Sequence, residues 1–98
     1  MPKDVFTEYT ALQGHEKDVA RLIRDLSSTA QSDPGILLFL PYTLAGEPRK
    51  YLVLERYLNE WVFDAHITSA SRQRFVAALA PHLEAESPAL IHANALAR

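Results

Sequence analysis

His66 and Glu55 are the two side chains whose type and placement best suit proton chemistry. His66 closes the short segment Trp61-Val62-Phe63-Asp64-Ala65-His66, beside aromatic Trp61 and Phe63. An imidazole titrates near neutral pH and can take or give a proton there. Its plainer role is to sit at a helix C-terminus, where positive charge is favoured. Glu55 shares strand parity with Tyr51, Val53 and Tyr57, so it points to the same face as three largely apolar side chains. Burial on that face disfavours the charged form, and such a carboxylate could act as a base or orient His66. Its plainer role is a strand-end carboxylate paired with Arg56, Arg72 or Arg74 at the rim.

Nine aromatic residues punctuate the chain. Most belong in a core or an interface, but Trp61, Tyr9, Tyr42, Phe39, Phe63, Phe75 and Tyr57 could line a flat pocket for a small aromatic molecule. Tyr9, Tyr42 and Trp61 fit best, because each carries a polar tip. His15, His82 and His92 read as incidental: their spacing matches no helical or strand pattern of metal ligands, and only tertiary structure could gather them into a site. Gly14, Gly35 and Gly46 are isolated, so the chain has no phosphate-binding loop and no nucleophile elbow. Neither a metal nor a nucleotide or flavin cofactor is expected.

The elements that must position these residues follow from hydrophobic period. Val5 to Ala11, rich in β-branched and aromatic residues, reads as a strand. After Gly14, Val19, Leu22, Ile23, Leu26 and Ala30 recur at helical spacing, which predicts a helix over 16–30. Acidic Glu16 and Asp18 occupy its first turn. Asp33-Pro34-Gly35 is a turn. A strand follows from Ile36 to Tyr42, then Ala45-Gly46-Glu47-Pro48, then a strand from Lys50 to Tyr57, which together predict an antiparallel hairpin. Asn59 is a good N-cap for a short helix over 60–67. Ser69 or Ser71 restarts a longer one that Pro81 must end or kink near Ala80. Ala89 to Ala95 reads as the last strand. The order β-α-β-β-α-β is the ferredoxin-like α+β plan, an antiparallel sheet with its helices on one face.

Length and composition bound the rest. Ninety-eight residues make one domain spanning 1–98, with 48% apolar and 22% charged residues. The net charge is −2, with no basic stripe to serve nucleic acid. There is no cysteine and hence no thiolate chemistry. No long apolar stretch marks a leader or a membrane span, so a cytoplasmic protein is expected.

One feature points outside the single chain. Ile36-Leu37-Leu38-Phe39-Leu40 and Tyr51-Leu52-Val53-Leu54 are apolar at every position. A strand with one wet face alternates instead. The helices cover one face only, and an exposed apolar patch of that size is rare in a soluble monomer. A twofold-related copy is therefore expected on the other face, closing two sheets into a barrel-like homodimer.

With these elements in order, the chain resembles the antibiotic biosynthesis monooxygenase family of dimeric α+β barrels over nearly its whole length. The resemblance rests on a first strand leading to Gly14 and a helix, and on Pro34-Gly35 before an apolar strand. It rests also on the hairpin strand ending Leu54-Glu55-Arg56-Tyr57, the short helix ending Ala65-His66, and Phe75 nine residues beyond that histidine. It implies a small dimer with a pocket between sheet and helices in each subunit. Some relatives oxidise phenols or quinols with molecular oxygen and neither metal nor flavin. On that reading His66, with Glu55, takes a phenolic proton and the electron-rich anion reacts with oxygen. The alternative is a non-catalytic dimeric barrel holding a small apolar ligand. The chain departs from the family pattern at Ser71, where a second histidine is common. It also lacks the Asn, Trp and His set of the haem-degrading branch: the first strand has no Asn, His66 takes the Trp position and Val76 the ligating His position. A haem-degrading role is disfavoured.

Overall fold

The computed structural model describes residues 1–97. Strand β1 (Lys3–Thr10) leads to helix α1 (Glu16–Gln31), and β2 (Ile36–Leu44) and β3 (Glu47–Tyr57) form a hairpin. Helices α2 (Glu60–Ile67) and α3 (Ala70–Leu79), a single 3₁₀ turn (Ala80–His82) and β4 (Ala89–Ala93) complete the chain. The four strands form one antiparallel sheet in the order β2-β3-β1-β4. This is the expected ferredoxin-like α+β plan.

Local chemistry sets the boundaries. The β2–β3 turn reverses at Ala45-Gly46, where Gly46 has φ +78°, a region open to glycine without strain. Asn59 caps α2, its side-chain oxygen accepting from Val62 N–H at 2.8 Å. Ser69, not Ser71, caps α3, its hydroxyl oxygen accepting from Arg72 N–H at 3.1 Å. Regular helix ends at Leu79, and Pro81 lies in the 3₁₀ turn beyond it. The last strand stops at Ala93 rather than Ala95. Ala93 pairs with Asp4, and β1 has only Lys3 left beyond that register, so the ladder runs out.

The odd residues of β3 face the helices: Tyr51, Val53, Glu55 and Tyr57 are all buried. Val5, Thr7 and Tyr9 of β1 share that face and are buried too. Val19, Ile23, Leu26 and Ala30 of α1 pack over them. The main core joins these to Phe39, Leu79 and Leu83. A second cluster of Val5, Tyr57 and Phe63 lies toward α2.

The unbroken apolar run of β2 has two causes. One is a β-bulge: Ile36 pairs with Tyr57 and Leu38 with Arg56, leaving Leu37 without a partner. The extra residue flips the alternation, so Ile36 and Phe39 both reach the core. The other cause is the outer face. There Leu40, Leu54, Phe6 and Ile91 lie side by side across all four strands. Leu40 is 38% and Ile91 50% exposed. The ion pairs Arg56–Asp4 (2.8 Å) and Lys50–Glu8 (3.1 Å) flank this row.

Candidate functional site

Glu55 lies between the two apolar clusters and is 2% exposed. Its neighbours come from three elements. Thr7 of β1 donates its hydroxyl to Glu55 Oε2 at 2.8 Å. Tyr57, two residues along β3 and so on the same face, donates its phenol to Oε1. Arg72 of α3 brings Nη1 to 3.9 Å from Oε1. Arg72 is itself only 5% exposed. A buried charge is tolerable only when paired and hydrogen-bonded, and two hydroxyls and a guanidinium meet that need for Glu55. Arg72 is less completely served: its Nε and Nη1 donate no hydrogen bond among the described residues. Its guanidinium stacks over Phe75, 5.7 Å from the ring centroid, which offsets part of the burial cost.

His66 closes the cluster from α2. Its ring centroid is 5.3 Å from that of Tyr57, and its Nε2 is buried without a partner among the described residues. Burial, and then the charge of Arg72, hold the imidazole below its ordinary value of 6.5, against the opposing pull of Glu55 and Asp33. It is a neutral base at neutral pH. Tyr9, fully buried beside Arg72, is pushed up to about 12, chiefly by burial. Its hydroxyl has no hydrogen-bond partner among the described residues. Burial, the Glu55 charge and the hydrogen bond to Glu55 push Tyr57 up further still. Both tyrosines stay protonated donors.

Two clefts flank this cluster. The larger, about 650 Å³, runs between the C-terminal end of α1, the 32–36 turn and α2, with Leu26, Ile36, Val62, His66 and Ser69 in its walls. The other, about 440 Å³, lies between α3 and β4 and is almost wholly apolar, with Ile67, Val76, Pro88 and Leu90 around Arg72. The site therefore offers a neutral base on one side and a cation with unused donors on the other.

Of the residues singled out from sequence, the fold gathers His66, Glu55, Tyr57, Tyr9 and Phe75. Phe75 meets Tyr9 edge-on at 6.4 Å. Phe63 is buried alongside, edge-on to Tyr57 at 5.2 Å. Phe39 is a core residue, walling neither flanking cleft. Two expected pocket residues lie elsewhere. Trp61 is 84% exposed, because it stands two positions from inward-facing Phe63, roughly 200° around the helix. Tyr42 is 50% exposed and has the parity of the outer sheet face. The expected ion pair of Glu55 is with Arg72, in the interior and not at a rim, while Arg56 pairs with Asp4.

Two members of the cluster escaped the sequence reading as functional residues. Thr7 is the polar middle of an inward row Val5-Thr7-Tyr9. Arg72 heads an inward stripe with Phe75 and Leu79 at helical spacing. A polar residue interrupting an apolar period was the available signal in both. His15 and His82, read as incidental, are brought together with Nδ1 atoms 2.9 Å apart.

Residues 5–78 match the family model described as antibiotic biosynthesis monooxygenase. No match is found among curated proteins. Among solved structures, PA3566 from Pseudomonas aeruginosa is 18% identical with a TM-score of 0.87, over 98% of this chain and 95% of that one. Rv0793 from Mycobacterium tuberculosis is 16% identical with a TM-score of 0.89, over 100% and 98%. A structure of an antibiotic biosynthesis monooxygenase is 16% identical with a TM-score of 0.86, over 99% and 100%. At such identities the likeness to these structures is one of fold.

Proposed function

The chain belongs to the antibiotic biosynthesis monooxygenase family, and on that footing we propose that it oxidises a small aromatic phenol or quinol with molecular oxygen, His66 acting as the base. The observation that carries the reading is a neutral, half-buried imidazole held close to a buried guanidinium with unused donors. His66 removes the proton that leaves an electron-rich anion. Burial, and then the fixed charge of Arg72, which lines the other cleft, keep the imidazole unprotonated and so ready to take that proton. Oxygen adds at an activated ring carbon to give a hydroperoxide. Loss of water from it leaves one oxygen atom as the quinone carbonyl and the other in the water released. Glu55 is already engaged by Thr7, Tyr57 and Arg72. Its part is to hold Arg72 and Tyr57 in place, as a positioning residue and not as the base.

A homodimer is part of the same proposal. Its support is the apolar row Leu40–Leu54–Phe6–Ile91 framed by two ion pairs, the apolar centre and polar rim of a protein interface. Sedimentation as a monomer at micromolar concentration would contradict it. No helix among the described residues is long and apolar enough to cross a membrane.

One observation favours a second reading. A buried cation beside an apolar cleft suffices to hold an acidic apolar ligand without turning it over. Oxygen uptake by the purified protein with a panel of hydroquinones and anthrone-type phenols, His66→Ala run in parallel, separates the two. Uptake that falls at least about a hundredfold in the variant supports general-base oxidation. Saturable binding of the same phenols without uptake supports the binding protein.

A further inference from the structure

The far end of α1, about 24 Å along the helix from the His66 cleft, carries a second constellation that the oxidation chemistry does not use. His15 stands at the N-cap of α1, Asp18 in its first turn, and His82 at the end of the 3₁₀ turn after α3. His15 Nδ1 and His82 Nδ1 are 2.9 Å apart, and Asp18 Oδ2 is 3.8 Å from His82 Nδ1. One ligand atom from each of the three lies within 4.8 Å of the others.

We propose that His15, Asp18 and His82 form a binding site for a divalent transition-metal ion of the zinc class. Two ring nitrogens this close cannot both carry a hydrogen, so at least one lone pair is turned inward. Tetrahedral coordination with metal–nitrogen bonds of about 2.0–2.1 Å sets neighbouring ligand atoms roughly 3.3 Å apart. The imidazoles need to part by about 0.4 Å, and the carboxylate to close by about 0.5 Å toward His82 and by no more than about 1.5 Å toward His15, to meet that spacing. Asp18 has the freedom to do so, being exposed and otherwise only 3.8 Å from Arg21 in a loose surface pair. Two imidazoles and a carboxylate are a donor set for zinc and its neighbours, and not for calcium or magnesium.

The backbone around the three is already laced. Leu12 N–H donates to His82 C=O at 2.9 Å, His15 N–H to Leu12 C=O at 2.9 Å, and Ala11 bridges to Leu83. These bonds fix the two segments relative to each other before any ion arrives. His82 is a quarter exposed and Asp18 half exposed, so an ion can enter and keep water at its fourth position. The adjacent charges are Glu16, close to His15, and Arg49, which Glu84 pairs at 2.8 Å. A bound ion would clasp the start of α1 to the turn that leads into β4.

The test is calorimetric titration of chelator-treated, tag-free protein with Zn²⁺, with Co²⁺ absorption as the second readout. One Zn²⁺ per chain and an intense visible Co²⁺ band of tetrahedral type are expected. His82→Gln and His15→Gln each weaken binding by at least about tenfold, and Zn²⁺ no longer raises their melting temperature. His92→Gln, on the far strand β4, binds as the unmodified chain does. Far-UV circular dichroism checks each fold, and either histidine variant suffices if the other fails to fold. Absence of saturable binding overturns the proposal, as does equal binding by a folded His15 or His82 variant.

Discussion

The two faces of this sheet invert the usual arrangement. The face turned to the helices carries a carboxyl and three hydroxyls, Glu55 with Thr7, Tyr57 and Tyr9, and meets the Arg72 guanidinium of α3, all buried. The face turned outward carries Leu40, Leu54, Phe6 and Ile91 in a row. Burying the first set costs free energy that hydrophobic collapse does not return, so its position must be held by partners placed to fractions of an ångström. Exposing the second set leaves apolar area in water at about 25 cal/mol per Å². A fold that tolerates both concentrates its polar chemistry between sheet and helices and leaves an apolar row on the outside.

Breaking the inner face has the largest expected effect. Glu55→Ala removes the counter-charge of a buried guanidinium and should cost about 3–5 kcal/mol in denaturant unfolding. The double variant Glu55→Leu with Arg72→Leu should recover most of that loss, because no unpaired charge remains. A loss in the double variant equal to the sum of the losses of Glu55→Leu and Arg72→Leu alone would mean that the pair is not coupled. The outer face responds differently. Leu40→Asp places a charge in the middle of the apolar row, where an interface would bury it unpaired. The expected penalty of roughly 3 kcal/mol raises a dimer dissociation constant more than a hundredfold. Sedimentation across a dilution series reads it, and an unchanged distribution would remove this row from any interface.

The sequence was legible where one periodic rule governed a segment. Val19, Ile23, Leu26 and Ala30 recur at helical spacing and are the buried residues of α1. Asn59 caps its helix through a local hydrogen bond that residue type alone announces, whereas residue type offers Ser69 and Ser71 equally for α3 and Ser69 makes the bond. Legibility failed where two rules met. The bulge at Leu37 changes the strand alternation by one residue, and nothing in an all-apolar run marks where. The chemistry of Trp61, a ring with a polar tip, points to a pocket, whereas helical phase decides its exposure. Glu55 was placed correctly on the buried face by parity. Which of three arginines it meets depends on how α3 docks, and that no local period encodes. His15 and His82 are 67 residues apart in sequence, so only the fold brings them together.

A smaller effect sharpens the inner face. Burial and Arg72 hold His66 below 6.5 in the folded chain, so the unfolded chain binds more protons just below that value. The stability that neutral His66 contributes is present above pH 6.5 and is lost as pH falls through its lowered value. Tyr9 works at the other limb. Raised from 10.0 to about 12, it contributes stability that is full below pH 10.0 and lost as pH rises toward 12. His66→Gln should flatten the acid side of a stability–pH profile and Tyr9→Phe the alkaline side. A profile unchanged by His66→Gln would mean that the imidazole is solvated.

The smallest effect separates two kinds of exposed apolar residue. Trp61 is more exposed than any member of the outer row, 84% against 50% for Ile91, yet it lies on α2 and apart from the sheet. Exposure alone does not make an interface; contiguity does, and the outer row has neighbours on every strand. Trp61→Ala should therefore change unfolding free energy by no more than about 0.5 kcal/mol and leave sedimentation unaltered. Because Trp61 is the sole tryptophan, its fluorescence gives the same answer without mutation. Its emission should be that of a solvated indole and stay fixed on dilution, even across a concentration range where Leu40→Asp and the unmodified chain differ in size. A blue shift that appears only at high concentration would put α2 in the contact and overturn the division between the sheet's outer face and the helix.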